Sequence, residues 1–447
     1  MNVLHLAWKN LAHQPLRALL SILLLALSVG LVSLLTNVRT QADEQFDRNL
    51  AGIDLVVGAK GSPLELVLNS MYQVGYPTGN VTLGEVKAFF NPKHPIVADA
   101  VPLSAGDAYR GYRIVGTTPK LLDWYGATVA EGAVWTEDFA VTIGSEVAAK
   151  TGLRVGDTFR SSHGIIDEGD EGIEHEDDFR VVGILAKSGT VMDQVILTTN
   201  QSYWHTHDHS DEGVGAAAGA EESEDGAGGD HAGHDHSHDS EPTSRAHHDH
   251  DHSSAATLLE EDPDKEITAL LVRYRNKSSF QALSFPRNLN ENTGLLAANP
   301  AYEINEVRRQ FDGGQRMLGL LAGVITLVSA FSVFIALYTS LRERRYELAL
   351  LRSLGAGRGK LFGLILIEAL LIAVLGYALG IALSHGVLAL LAGNVDEEFR
   401  YQLDAGRFFA PEFWLLAGAL GLAALAAFVP ALRAARTDIG ETLIGGK

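Results

Sequence analysis

Residues 18–38, 317–341 and 413–432 are uncharged apolar runs, and a fourth run, 361–395, holds Glu368 as its one Asp, Glu, Lys or Arg. Each is long enough to cross a hydrocarbon layer of about 30 Å as a helix. The first is too long for the apolar core of a secretory signal and no small-residue cleavage site follows it, so it reads as an uncleaved anchor. Between the first two runs the pattern changes. "YRIVGT", "FAVTIG", "FRVVGILA", "QVILTT" and "ITALLVRY" are short strand-like stretches bounded by Gly, Asp and Asn turns. "SEVAAKTGLRVGD" reads as a short helix closed by Gly152, with a turn at Gly156-Asp157. The spacing of Ile304, Val307, Phe311 and Leu318 predicts a helix leading into the second run. That helix is either one rod weakened at Gly313-Gly314 or two helices hinged there. The expected class is an α+β membrane protein. Four transmembrane helices carry a large extracytoplasmic mixed α/β domain between helices one and two.

Charge orients the spans. Lys9 and Arg17 precede the first; Arg342, Arg344, Arg345, Arg352, Arg358 and Lys360 lie between the second and third; Arg433, Arg436 and Lys447 follow the fourth. Both termini are therefore expected in the cytoplasm, in a multi-pass protein of a bacterial inner membrane. The expected division is an interfacial helix at 1–16 carrying Leu4, Trp8 and Leu11, a first span at 17–38, an outer domain at 39–300 and a stalk at 301–316. A second span at 317–341, a cytoplasmic helix at 342–360, a third span at 361–395, an outer loop at 396–411, a fourth span at 412–432 and a tail at 433–447 complete it.

Three stretches resemble one family. "AWKNLAHQPLRALLSILLLALSVG", "LRERRYELALLRSLGAGRGKLFGLILIEALLIAVLG" and "VPALRAARTDIGETL" are similar to the N-terminal helix with first span, the loop with third span and the C-terminal signature of FtsX-like, MacB-type (type VII) ABC-transporter permeases. "EGAVWTEDFAVTIGSEVAAKTGLRVGDTF" is similar to a segment of that family's outer domain. The resemblance implies a homodimer or pseudo-dimer of permeases on separate cytoplasmic ATPase subunits. It also implies a coupling helix between spans two and three, at Arg344, Arg345, Glu347, Leu348, Leu351, Arg352, Leu354 and Gly355. Work done outside the membrane without a channel for cargo is the implied output: lipoprotein extraction, efflux with a periplasmic adaptor, or control of a hydrolase. In the residues themselves, Leu348, Leu351 and Leu354 recur at helical spacing beside basic residues, which suits a docking lever or an interfacial helix held by anionic lipid. Glu368 is expensive in hydrocarbon and is expected to face protein or water, as a structural bond in the bundle or a cargo contact.

The chain has 447 residues and a formal charge of −20. His205 to Glu266 carries 18 Asp and Glu against Arg245 and Lys265, so the acidity belongs to one stretch and no nucleic-acid partner is expected. That stretch holds His205, His207, His209, His231, His234, His236, His238, His247, His248, His250 and His252. It reads as a disordered insertion at 205–257, since its composition buries too little apolar surface to order it. Alternating imidazole and carboxylate suit Zn²⁺ or another divalent transition metal. His163 and His175, set among eight carboxylates from Asp167 to Asp178 in a candidate hairpin tip, are a weaker second metal site. With no cysteine, thiolate sites are excluded. "GAGRGKL" lacks the first Gly and the Ser/Thr of a phosphate loop, so this chain is expected to bind no nucleotide and to be no enzyme. Together these readings predict a permease of a metal-handling ABC system, with a periplasmic adaptor or metal-binding protein as a further partner. The alternatives are lipoprotein or tripartite-efflux work, or a metal-sensing permease that controls a periplasmic partner.

Overall fold

The structure, a computed structural model, describes residues 3–163, 174–208, 263–398 and 403–436. In chain order its elements are α1 (Val3–His13), α2 (Pro15–Leu50), β1 (Leu55–Ala59), α3 (Pro63–Tyr72), β2 (Val81–Thr82), α4 (Leu83–Val86), β3 (Val97–Tyr109), β4 (Tyr112–Gly116), α5 (Lys120–Tyr125), β5 (Val129–Gly132), β6 (Ala140–Ile143) and α6 (Ser145–Thr151). There follow β7 (Thr158–His163), β8 (Glu174–Leu185), β9 (Ile196–Thr198), α7 (Asn200–Asp208), β10 (Glu266–Ile267), β11 (Ala269–Tyr274), α8 (Phe280–Asn292), β12 (Leu295–Ala298), α9 (Pro300–Glu343), α10 (Arg345–Ser353), α11 (Arg358–Glu398) and α12 (Ala410–Ala435). Contacts divide them into two units, one of residues 1–47 with 305–447 and one of residues 48–304.

The first unit is a helical bundle. α2, α9, α11 and α12 are long and apolar enough to cross a membrane. α9 is a single helix with no break at Gly313-Gly314, which decides for the rod over the hinge. The Ala26/Gly30 and Gly376/Gly380 pairs meet each other where α2 crosses α11. A Cβ on Gly30 would stand 2.9 Å from the Gly380 carbonyl oxygen, and one on Gly380 would stand 2.7 Å from that of Ala26. Backbone against backbone needs residues this small. Gly319 and Gly323 have nothing within 4 Å. Beyond the apolar stretches, α2 and α9 are tied by charge: Arg308 reaches Asp47 at 2.6 Å and Asp43 at 3.4 Å, and Arg39 reaches Asp312 at 3.4 Å.

The second unit is a ten-stranded mixed sheet in the order β12-β1-β11-β3-β4-β9-β6-β8-β5, with β7 paired to β3 and β8. β4 with β9 and β6 with β8 run parallel; the other pairs are antiparallel. The thirteen-residue β3 joins its two halves. One core gathers Leu55, Val57, Val97, Leu270 and Val272, and another Ile114, Val141, Ile143, Phe159, Phe179 and Ile196. α6 ends at Gly152 in the left-handed conformation, as the sequence predicts. β7 and β8 form a hairpin, with Ser162 opposite Glu174, so the acidic 164–173 stretch is the connection between two paired strands.

One boundary differs from the sequence reading. His205 and His207, read as the start of the insertion, lie in the last turn of α7. That helix is held by what it buries: Asn200, Ser202, Trp204 and Thr206 are all inside. Composition registers the histidines and misses the residues this helix buries.

Candidate functional site

At one end of the bundle, α9 stops at Glu343 and α10 begins at Arg345, with Arg344 alone at the corner. α1 lies against α11 here, with Ala7 buried and Leu6 and Leu11 packed beside it. Three polar side chains fix the corner. Asn10 Nδ2 donates to Glu368 Oε1 at 2.6 Å. Arg344 Nη2 donates to the Asn10 carbonyl at 3.0 Å, and its Nη1 stands 3.7 Å from Glu368 Oε1. Glu368 is 3% exposed, and a cation and an amide face its carboxyl group inside the bundle, the company that a carboxylate buried there needs. A second set lies nearby: Arg17 pairs with Glu343 at 2.8 Å, and Gln14 donates to the same carboxylate. A cavity of about 30 Å³ beside Asn10, Gln14, Arg17, Ser340 and Glu368 has room for a water.

α10 is thereby anchored on one side and open on the other. Leu348 is buried in the bundle core, and Ala349 beside it is also buried. Arg345, Tyr346, Glu347, Leu350 and Leu354 are exposed, and Arg352 is half-buried. Gly355 (φ +96°) turns the chain towards α11 in a conformation that favours glycine. So of the residues named from sequence, Leu348 holds the helix to its own chain, Arg344 sets its angle, and Arg345, Glu347 and Leu354 face outward. Tyr346 and Leu350, which the leucine spacing passes over, share the exposed side.

The opposite end holds a second buried carboxylate. Glu412, 1% exposed, accepts at Oε1 from Ser33 (2.7 Å) and Asn37 (2.8 Å) of α2, and at Oε2 from the Phe409 amide (3.1 Å). His385 Nε2 of α11 stands 3.0 Å from the same Oε1. Sequence reasoning misses this group because Glu412 sits at a span boundary, where a lone carboxylate passes as a helix-start residue. Asn37 at the end of the first apolar run was the available signal.

Among the candidate metal ligands, His207 Nε2 lies 3.5 Å from the buried Asp107 Oδ1 and its ring packs on Tyr203 at 4.4 Å. His205 is exposed, with its ring centroid 6.3 Å from that of Phe139. His163 is the register partner of Asp107, and His175 lies in β8. His209, His231, His234, His236, His238, His247, His248, His250 and His252 lie outside the described residues. Among the described residues no group of three or more His, Asp or Glu converges as a metal site.

The model of the FtsX-like permease C-terminal region matches residues 319–439, and that of the MacB-like periplasmic core domain matches residues 18–226. The macrolide export ATP-binding/permease protein MacB of Rhodopirellula baltica is 34% identical over 116 residues, 26% of this chain and 17% of that protein. The uncharacterized ABC transporter permease YknZ of Bacillus subtilis is 33% identical over 76 residues, 17% of this chain and 19% of that one. The matched stretches thus span less than a fifth of these relatives. The crystal structure of the periplasmic region of MacB from Actinobacillus actinomycetemcomitans aligns with a TM-score of 0.30 at 9% identity, over 58% of this chain and 96% of that one. Two family models that between them take in the first span, most of the sheet unit and the last three spans account for the architecture, and the chain belongs to the FtsX-like, MacB-type family of ABC-transporter permeases.

Proposed function

We propose that this permease couples a separate cytoplasmic ATPase to work at the outer face of the inner membrane, and that the work is the handling of zinc or another divalent transition metal. The observation that carries the coupling is α10: one face is locked to the bundle through Leu348, Ala349 and the Arg344–Glu368–Asn10 set, and the other presents Arg345, Tyr346, Glu347, Leu350 and Leu354. A helix held this way passes a push from a docked partner into α9 and α11. The basic residues that flank this end support a cytoplasmic position for it and for both termini. The histidine-rich stretch then faces outward, where imidazole and carboxylate side chains meet incoming metal. Two permease chains, identical or paired with a second one, complete the assembly, with a periplasmic metal-binding protein or adaptor as a further partner. A second reading, export with a periplasmic adaptor, is favoured by the macrolide-export relatives.

Co-expression with a cytoplasmic ABC ATPase subunit from the same organism tests the coupling. The wild-type chain should retain the ATPase through purification and hydrolyse no ATP alone. The Tyr346→Ala/Leu350→Arg variant should insert in the membrane and lose the ATPase. Equal retention by the variant would overturn the assignment of α10.

A further inference from the structure

The loop after α11 is clasped to α2. Gln41 Nε2 donates to the Asp404 carbonyl at 3.1 Å, and Gln41 Oε1 accepts from the Asp404 amide at 2.7 Å. Arg407 pairs with Glu44 at 2.7 Å. Against the loop lies His385, its ring 4.4 Å from that of Phe408. Both ring nitrogens are engaged: Nδ1 is 2.6 Å from the Ala405 carbonyl oxygen, and Nε2 is 3.0 Å from Glu412 Oε1.

Those two partners decide the proton inventory. A carbonyl oxygen only accepts, so Nδ1 carries a hydrogen. An ionised carboxylate also only accepts. With Nδ1 protonated, a neutral ring would set the Nε2 lone pair against the Glu412 oxygen at 3.0 Å. A proton between Nε2 and Oε1 removes the conflict. The other hydrogen bonds agree, because Ser33, Asn37 and the Phe409 amide all donate to Glu412. The remaining groups around the pair are Tyr377, whose hydroxyl donates to the Glu412 carbonyl oxygen, and the charged Asp404, Arg407 and Glu44, the last two paired with each other.

We propose that His385 and Glu412 form a buried proton-binding site whose occupancy holds the 403–409 loop against α2. When the proton leaves to solvent, the ring keeps one hydrogen for two acceptors. The bond to the charged carboxylate is the stronger of the two, so the hydrogen stays on Nε2. Nδ1 then turns a lone pair on the Ala405 oxygen, and that contact is lost. The loop is left with the Gln41 and Arg407 ties, so it loosens without unfolding the bundle. The site gives a permease a response to proton concentration separate from metal binding and from ATPase docking.

The chain has no native cysteine, so Gly406→Cys, at an exposed loop position, takes a single spin label. Spectra are recorded for the full chain in lipid nanodiscs at pH 5.5 and pH 8.5. The site predicts an immobilised label at pH 5.5 and a mobile component at pH 8.5. A label at Gly357→Cys, at the other end of the bundle, should show no change. Glu412→Gln and His385→Gln should each abolish the response at position 406. An identical spectrum at both pH values overturns the proposal, and so does a response that survives in both variants. If the variants fail to fold, the contrast between positions 406 and 357 in the otherwise unaltered chain still decides.

Discussion

Arg344 and Glu368 show how a buried charge is tolerated in an apolar bundle. Removing the cation alone leaves a carboxylate in the core, which typically costs about 3–5 kcal/mol. Arg344→Ala should therefore lower the thermal midpoint of the purified chain sharply. In a Glu368→Gln background, where the amide still accepts from Asn10, the same change should lower it by less than half as much. Equal shifts in the two backgrounds would contradict the pairing. His94 offers a pH signature in the sheet unit. Its Nδ1 accepts from the Ile96 amide (3.2 Å) and the Val97 amide (2.9 Å), which only an unprotonated nitrogen can do. Burial, then the nearby Arg275, lower its pKa below the usual value. The folded state thus takes up a proton less readily than the unfolded one. Its stabilisation is full above pH about 6.5 and is lost as pH falls below that value. The midpoint of wild type should fall more steeply below pH 6.5 than that of His94→Asn, whose Oδ1 accepts at any pH; parallel curves would sink the argument. Glu368 was legible as a residue needing company, because a lone carboxylate inside an apolar run must find a partner. Its partners were not legible, since Asn10 is 358 positions away and looks like any polar residue on an interfacial helix.

The helices that cross the membrane were readable as elements because each carries its own signal in an uninterrupted apolar run. Their pairing was not: three small-residue pairs look alike in sequence, and only Ala26/Gly30 and Gly376/Gly380 face each other. Gly380→Leu should lower the midpoint markedly, overpacking of this kind costing about 1–3 kcal/mol, whereas Gly319→Leu, in open space, should leave the isolated chain unchanged. Comparable losses at both positions would refute this crossing. In the sheet unit the five stretches with dense β-branched runs became β4, β6, β8, β9 and β10–β11. β12 has only Leu and Ala, and β1 is five residues long, with Val56 and Val57 followed by Gly58 and Ala59, so neither stands out as a strand in the sequence. β3 contains Pro102 and Gly106, which usually end a strand, and its register shifts between Ala105 and Ala108. The tertiary pairing on both sides carries it past those residues.

At the scale of the whole molecule, order along the chain — one span, a sheet domain, three spans — identified the family, because no single segment is as specific as their succession. The histidine-rich stretch contributes composition and no packing pattern, so its function rests on chemistry alone. Deleting His209 to Ser254 should leave the metal-free thermal midpoint nearly unchanged and remove most of the Zn²⁺ taken up per chain at pH 7.5. An unchanged stoichiometry would move the metal site to the β7–β8 hairpin. The most direct test of the account is growth of a strain lacking this chain across a zinc series, with and without a chelator. The account predicts a defect that tracks zinc level and is rescued by the wild-type chain but not by Tyr346→Ala/Leu350→Arg. Growth indistinguishable from the parent strain at every zinc level would contradict it.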